Sequence, residues 1–469
     1  MRDYDAVVTK MDLWADDKDN DQAQQAPLGV TDGLRRTLRG SRRLSERDVL
    51  SQLRAWLLEE YMAPYCRALA STRIFRHCYW IDALDGVTRA QLTATPIEKS
   101  EAPPVTANER RRKKDASQTL HEYPPVLHPT IKLSQELALE SRPITLHGLF
   151  LSSGSSSTRR RTESRATKDG HRDNGPSVQV PIPLPKESAI IPQNWLDAAS
   201  QILPAIEQSP AIFLLNPLAP LLFTEGNLIP LYRRATPTEL CLFLPHKQII
   251  AHLQAARTTV PSSQGVAATL TTLLRTDRWK TLVPEGEETS HAHNEQHQRA
   301  IAGFIELFSA SVKRHFAFPV QTIPMRVVTG PATIENAPYT LLFATKRQDS
   351  LFSMNNALCC YQRRLEEESY HGVLGEEWFR SQQQSRYDEA RRQLTQRILS
   401  QGHTQRIRRW PDLRQQLLVT LFGQFLMQDY DRAIKQCLLS GEVSCAWRKA
   451  PSREEQDRVP GNDDTLVWR

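Results

Sequence analysis

The sequence predicts an α/β fold, a Rossmann-like and mostly parallel sheet, with a smaller helical module at its C-terminal end. Three observations carry this. Short apolar runs alternate with amphipathic helical segments up to about residue 316, an order that builds a parallel sheet covered on both faces. A close pair of strands follows, divided by Gly330-Pro331 and Asn336, and reads as an antiparallel hairpin at the sheet edge. The chain then changes to helix, helix, glycine and hairpin. At 469 residues it suits two or three domains. Only 39% of residues are hydrophobic and the mean hydropathy is −0.50, so part of that length is arm or insertion rather than core.

Residues 1–43 are polar without sustained periodicity and read as a mobile arm. At Ser45 a capping box with Asp48 starts a helix, Leu44 can staple it, and Val49, Leu50, Leu53, Trp56, Leu57 and Tyr61 share one face. Cys78 to Asp82 is a short apolar run ending in an acid, expected as a buried strand. Two stretches, about 93–125 and 152–187, are rich in proline, serine and arginine and have the composition of insertions. Around them we expect strands at Ile144–Leu151, Ala211–Leu215 and Glu239–Leu244, with helices near 130–141, 193–207 and 246–257. A long helix near Glu295–Phe316 precedes the hairpin strands Val320–Val328 and Tyr339–Thr345. Parallel strands closed by a late antiparallel hairpin give the class I methyltransferase-type sheet, in a domain spanning 44–380. The polar helix Gln382–Ser400 then reads as a linker (381–401). A winged-helix-like domain, 402–469, follows with helices at Asp412–Phe425 and Asp429–Ser440, Gly441 as the terminating C′ residue, and paired strands at Val443–Trp447 and Thr465–Trp468.

Several function classes fall away. Seven cysteines without C-x-x-C spacing argue against a disulfide framework or a zinc site and suit reduced cytosolic thiols. The first thirty residues lack a basic and apolar leader. The run Ala211–Phe223 is too short to span a bilayer and is broken by Asn216, Pro217 and Pro220. A cytoplasmic protein with no membrane partner is expected. His291, His293 and His297 have ligand-like spacing but read as a solvated helix start. Cys359 and Cys360, adjacent on a helix, point in different directions, one of them packing, and neither is activated. G-x-S-x-G and P-loop motifs are absent.

A cofactor on such a sheet binds at the carboxyl ends of the first strands, where the strand order reverses. The candidate loop is Tyr79-Trp-Ile-Asp-Ala-Leu-Asp-Gly86. Asp82 and Asp85 can accept hydrogen bonds from the amine or hydroxyls of S-adenosylmethionine, and Gly86 permits close backbone approach. Only one glycine stands where a cluster is wanted, and a strand end with solvated acids explains the same residues. The second strand runs into Ser152-Ser153-Gly154 without the acid that a ribose needs, although Glu140 can stand in. Asn216-Pro217 has the first half of the Asp/Asn-Pro-Pro-aromatic loop of amino methyltransferases, in which the side-chain carbonyl accepts from the target amine; Leu218 and Ala219 lack its stacking aromatic.

These residues together resemble the three-Cys-motif partner proteins (TcmP), bacterial proteins with a methyltransferase-like fold. The likeness covers roughly 44–380 outside the insertions. It rests on the helix Asp48–Trp56, the loop Trp80–Gly86, the turn Asn216–Ala219, the strand Glu239–Phe243, and most specifically on Tyr339–Thr345 with Met354-Asn355. The resemblance implies a three-cysteine-motif protein as partner and a winged-helix-like tail. Departures fall on the ligand-contacting positions while the framework is kept.

Sixty Lys and Arg against fifty-three Asp and Glu give a formal charge of +7, which favours a polyanion only where the charge clusters. It clusters at Arg110–Lys114, at Arg159–Arg161, and at Arg406, Arg408, Arg409 and Arg414. A winged helix places its second helix in a major groove, which makes Arg432, Lys435 and Gln436 the candidate contacts to DNA or RNA, with Arg408 and Arg409 beside them. Three readings remain open from sequence: a nucleic-acid-associated or partner-binding component with degenerate cofactor loops, an active S-adenosylmethionine-dependent methyltransferase, and a purely structural partner subunit.

Overall fold

Pleating sends alternate side chains of each central strand to opposite faces, and the apolar runs seen in the sequence bury both sets. The computed structural model describes residues 45–84, 123–152, 187–257, 261–282, 290–449 and 458–469. The expected arm, Leu44, most of both insertions and their arginine runs lie outside these residues. Helix α1 (Glu46–Trp56) passes through a π-helical turn (Leu57–Met62) into α2 (Ala63–Ser71), and β1 follows at His77–Ala83. Next come α3 (His128–Ala138), β2 (Thr145–Leu151), β3 (Ala189–Ile191), α4 (Trp195–Ala205), β4 (Ala211–Leu215), α5 (Glu225–Tyr232), β5 (Thr238–Pro245) and α6 (His246–Arg257). Helices α7 (Pro261–Leu274) and α8 (Ser290–Lys313) lead to the hairpin of β6 (Gln321–Gly330) and β7 (Thr333–Ala344). The chain ends with α9 (Gln348–Tyr370), α10 (Glu376–Gln405), α11 (Trp410–Thr420), α12 (Met427–Leu439), β8 (Val443–Ala446) and β9 (Thr465–Trp468).

The main sheet is ordered β3-β2-β1-β4-β5-β7-β6. Strands β1 to β5 pair in parallel, and β7 lies antiparallel between β5 and β6. This is a Rossmann-like, methyltransferase-like topology. Trp80, Ile212 and Phe343 pack on the side of α1, α2, α3 and α9; Ile81, Phe213 and Leu342 pack on the side of α4, α6 and α8. The capping box forms as expected, with the Ser45 hydroxyl accepting from the Asp48 amide and the Asp48 carboxylate accepting from the Ser45 amide at 3.1 Å. Sequence reading misses β3, α5 and α7. β3 has only three residues, α5 contains Gly226 and Pro230, and α7 contains several β-branched threonines, so tertiary packing overrides weak local signals.

Helix α9 joins the sheet to the C-terminal segment. Its Ala357 carbonyl accepts from Trp56 Nε1 at 2.9 Å, and Tyr361 stacks on the Trp56 ring at 4.8 Å. Asn355, fully buried, accepts from the Gly423 amide and donates to the Phe425 carbonyl, both at 2.8 Å, while Asn356 accepts from the Met427 amide at 2.9 Å. This clamp holds the turn between α11 and α12. Trp410, Leu413, Tyr430 and Ile434 accordingly belong to the same apolar core as Trp80 and Phe343. Gly441 ends α12 at φ +79°, as its position suggested. Gly402 is needed for a different reason: a Cβ there would meet the Trp468 ring at 2.4 Å, so α10 and β9 approach only because it has none.

Glu239, at the start of β5, is buried with one oxygen accepting from Ser350 Oγ at 2.9 Å and the other without a hydrogen-bond partner. Burial pushes its carboxyl up to about 7 from an ordinary 4.5, against the pull of Thr345, Ser350 and Arg347. Between those values the folded state binds the extra proton, so stability falls as pH rises through this window and the cost is fully present above it. Glu239→Gln keeps the bond from Ser350 and removes the charge. Thermal or urea unfolding should show it more stable than wild type at pH 8, by on the order of 3 kcal/mol, and nearly equal at pH 5; the same gain at both pH values would refute the buried-charge account.

Candidate functional site

The strand order reverses between β1 and β4, so the crevice for a ligand lies at their carboxyl ends. Asp82 does not open into it freely. Its parity with Trp80 turns it to the α1 side, where Oδ2 accepts from Arg54 Nε at 2.6 Å and Oδ1 from Arg54 Nη2 at 3.1 Å. Oδ1 also accepts from the Leu84 amide at 3.0 Å, and Arg54 Nη2 donates to the Leu84 carbonyl at 2.7 Å. Arg54 and Asp82 are both buried. The carboxylate that sequence offers to a cofactor is thus engaged on both oxygens by an arginine one helix away. Asp85 and Gly86 lie outside the described residues.

Asn216 caps β4, half-buried, and its side chain is also occupied. Oδ1 accepts from the Leu218 amide at 2.9 Å, closing a local turn, and Nδ2 donates to Gln248 Oε1 at 3.1 Å. The oxygen expected to face a target amine therefore faces its own backbone. Leu218 and Phe223 fold back as buried residues, with the Phe223 amide donating to the Pro217 carbonyl at 2.8 Å. Between Ala83, Leu151, Trp195 and Phe223 the described residues leave a cavity of about 10 Å³, room for roughly one water. S-adenosylmethionine needs several hundred cubic ångströms. Among the described residues, which leave out 85–122 and 153–186, the carboxylate is engaged and the space is small. Glu140 does not substitute, because it precedes the amino end of β2 and pairs with Arg67 at 2.8 Å.

Burial pushes the Cys359 thiol up to about 12 and raises Cys360 as well, so neither favours a thiolate at neutral pH. Cys359 is the one that packs. No cluster of metal-ligating side chains occurs among the described residues, and the side chains of His291 and His293 lie outside them. No described helix is long and apolar enough to cross a membrane.

The C-terminal segment presents charge. Helix α12 buries Asp429, Tyr430, Ala433, Ile434 and Cys437 on one face, which turns Gln428, Arg432 and Gln436 outward with Lys435 half-exposed beside them. Arg408 and Arg409 are exposed where α10 gives way to α11. Helices α11 and α12 are bolted together by Asp431, which accepts from Trp410 Nε1 at 3.1 Å and from Arg414 Nη1 at 2.7 Å. Arg414, a member of the basic cluster, is thereby engaged within the structure. The carbonyl of Arg408 accepts from the Leu466 amide and that of Ile407 from Trp468 Nε1, both at 2.7 Å, so residues 407–408 run alongside the β8–β9 hairpin.

Sequence reading missed Asp429 and what surrounds it. This carboxylate, 2% exposed, accepts from the Tyr387 hydroxyl and from the Leu426 amide at 3.0 Å. Arg363, Arg391 and Arg432 approach it at 3.8–3.9 Å. The three arginines come from three helices, and no local pattern links them. No protein-family model, curated protein or solved structure matches the chain.

The Arg54–Asp82 pair is open to direct test. Arg54→Ala leaves a buried carboxylate uncompensated and should cost about 3–5 kcal/mol in chemical denaturation. The apolar double replacement Arg54→Met/Asp82→Leu should recover most of the loss; failure of Arg54→Ala to destabilise would return Asp82 to the list of ligand groups.

Proposed function

We propose that the protein is a nucleic-acid-binding component of the three-Cys-motif partner type, in which a methyltransferase-like sheet acts as scaffold and the C-terminal segment makes the contact. The observation that carries this reading is the outward stripe of α12. In the winged-helix reading, α10, α11 and α12 are the three helices, residues 407–408 are the short strand, and β8–β9 is the wing. That assignment makes α12 the helix that enters a major groove. At 13 residues it is about 20 Å long, enough to follow the groove over several base pairs.

Charge supports the same reading. Asp429 and Asp431 are engaged within the module, so the cations Arg432 and Lys435 dominate the exposed side of α12. Arg408 and Arg409 suit flanking phosphates, while Gln436 is long enough to reach a base edge. The closed crevice and engaged Asp82 favour a sheet retained for its rigidity over one that transfers methyl groups. A three-cysteine-motif protein is the partner this reading assigns.

Duplex binding by the full chain should be salt-dependent. Arg432→Gln/Lys435→Gln should weaken it and lower the slope of log K against log salt by about 2, the value for two lost phosphate contacts. An unchanged slope would place the interface elsewhere. Calorimetric titration with S-adenosylmethionine should give no heat of binding, and micromolar affinity would overturn the scaffold reading.

A further inference from the structure

A second concave surface shares no lining residue with the crevice. The C-terminal half of α9, the N-terminal half of α10 and the β6–β7 turn enclose a groove of about 840 Å³. Its lining combines cations and aromatic rings. Arg326 and Arg386 make no ion pair among the described residues. Arg363 stacks on the Tyr387 ring at 4.3 Å, and its buried Nη2 has no hydrogen-bond partner, the nearest carboxylate oxygen being that of Asp429 at 3.8 Å. Trp378 is 60% exposed, braced edge-on against Phe379, which stacks in turn on Tyr370.

Charge in the groove does not cancel. Its carboxylates are Glu366 and Glu367, and Glu366 already accepts a hydrogen bond from Gln383. Arg380 pairs with Glu376 at 2.8 Å. Arg363 of the lining shares the carboxylate of Asp429 with Arg391 and Arg432, and Arg391 also approaches Asp388 at 3.9 Å; Asp429 is held besides by Tyr387 and the Leu426 amide. Two arginines without a carboxylate partner among the described residues, Arg326 and Arg386, lining one concavity suit an anion. An exposed indole held rigidly from behind is arranged for a flat ring.

We propose that this groove binds a single-stranded segment of nucleic acid, with Arg326, Arg363 and Arg386 following the phosphates and a base stacking on Trp378. A groove of this volume suits a few nucleotides of single strand, whose unpaired bases are free to stack. An exposed indole among arginines favours nucleic acid over an acidic peptide, whose carboxylates bring no ring to stack on it. The groove stands on its own residues and does not require the duplex reading.

The test is fluorescence anisotropy of a labelled oligothymidylate of about 15 nucleotides with the full chain at low salt. Wild type should bind. Trp378→Ala and the double variant Arg326→Gln/Arg386→Gln should each weaken binding about tenfold, and the double variant should also lower the salt slope by about 1.4. Blunt-duplex binding should be unchanged in both. Trp378 and Arg386 are exposed, so circular dichroism and thermal unfolding should match wild type. No binding of the oligonucleotide, binding indifferent to these variants, or displacement by polyglutamate at equal charge concentration would each overturn the proposal. Loss of duplex binding in Arg432→Gln/Lys435→Gln with the oligothymidylate still held would separate the two surfaces.

Discussion

Helix α9 is the constraint on which the remaining geometry depends, and Asn355 is its central contact. A fully buried amide has to satisfy both its oxygen and its nitrogen, and here both partners are backbone groups of one turn, the Gly423 amide and the Phe425 carbonyl. That requirement fixes α11 and α12 against the sheet domain. Upstream on the same helix, Ser350 reaches Glu239 of β5; downstream, Tyr361 donates to the Arg326 carbonyl of β6 and Arg363 stacks on α10. The basic surfaces are therefore oriented by a helix that belongs equally to the sheet and to the tail.

The crevice shows how a ligand-binding sheet can keep its topology while its polar groups are engaged from within. A buried carboxylate at the end of β1 has to be compensated, by a ligand, a metal or a cation. Arg54 supplies the cation with a two-point hydrogen bond and also ties down the Leu84 carbonyl. Asn216 is likewise closed on Leu218, and Phe223 occupies space near the strand ends. Each replacement is ordinary structural chemistry. Together they favour a scaffold.

The framework was legible because its signals are local. Five-residue β4 was readable to its boundaries, since a fully apolar run ends at Asn-Pro. Helix α6 was readable over its whole length, and Gly441 correctly marked the end of α12. The hairpin and the two C-terminal helices also appeared, although β7 already begins at Thr333, with Asn336 inside it and not in the turn, and α11 ends at Thr420. What could not be read depends on long-range pairing. The Arg54–Asp82 pair spans 28 residues, the Asn355 clamp about 70, and the arginines around Asp429 come from different helices. Composition showed an excess of positive charge, but only folding decides which arginines remain outside, as Arg432 does, and which are engaged, as Arg414 is.

The crevice at β1 and β4 and the charged C-terminal surface can be read separately. Hydrogen–deuterium exchange of the full chain, alone, with a blunt duplex and with S-adenosylmethionine, reads both at once. The account predicts slower exchange with duplex in α12 and beside β9, and no change with S-adenosylmethionine in residues 211–224. Protection of 211–224 by S-adenosylmethionine, with α12 unaffected by duplex, would contradict it.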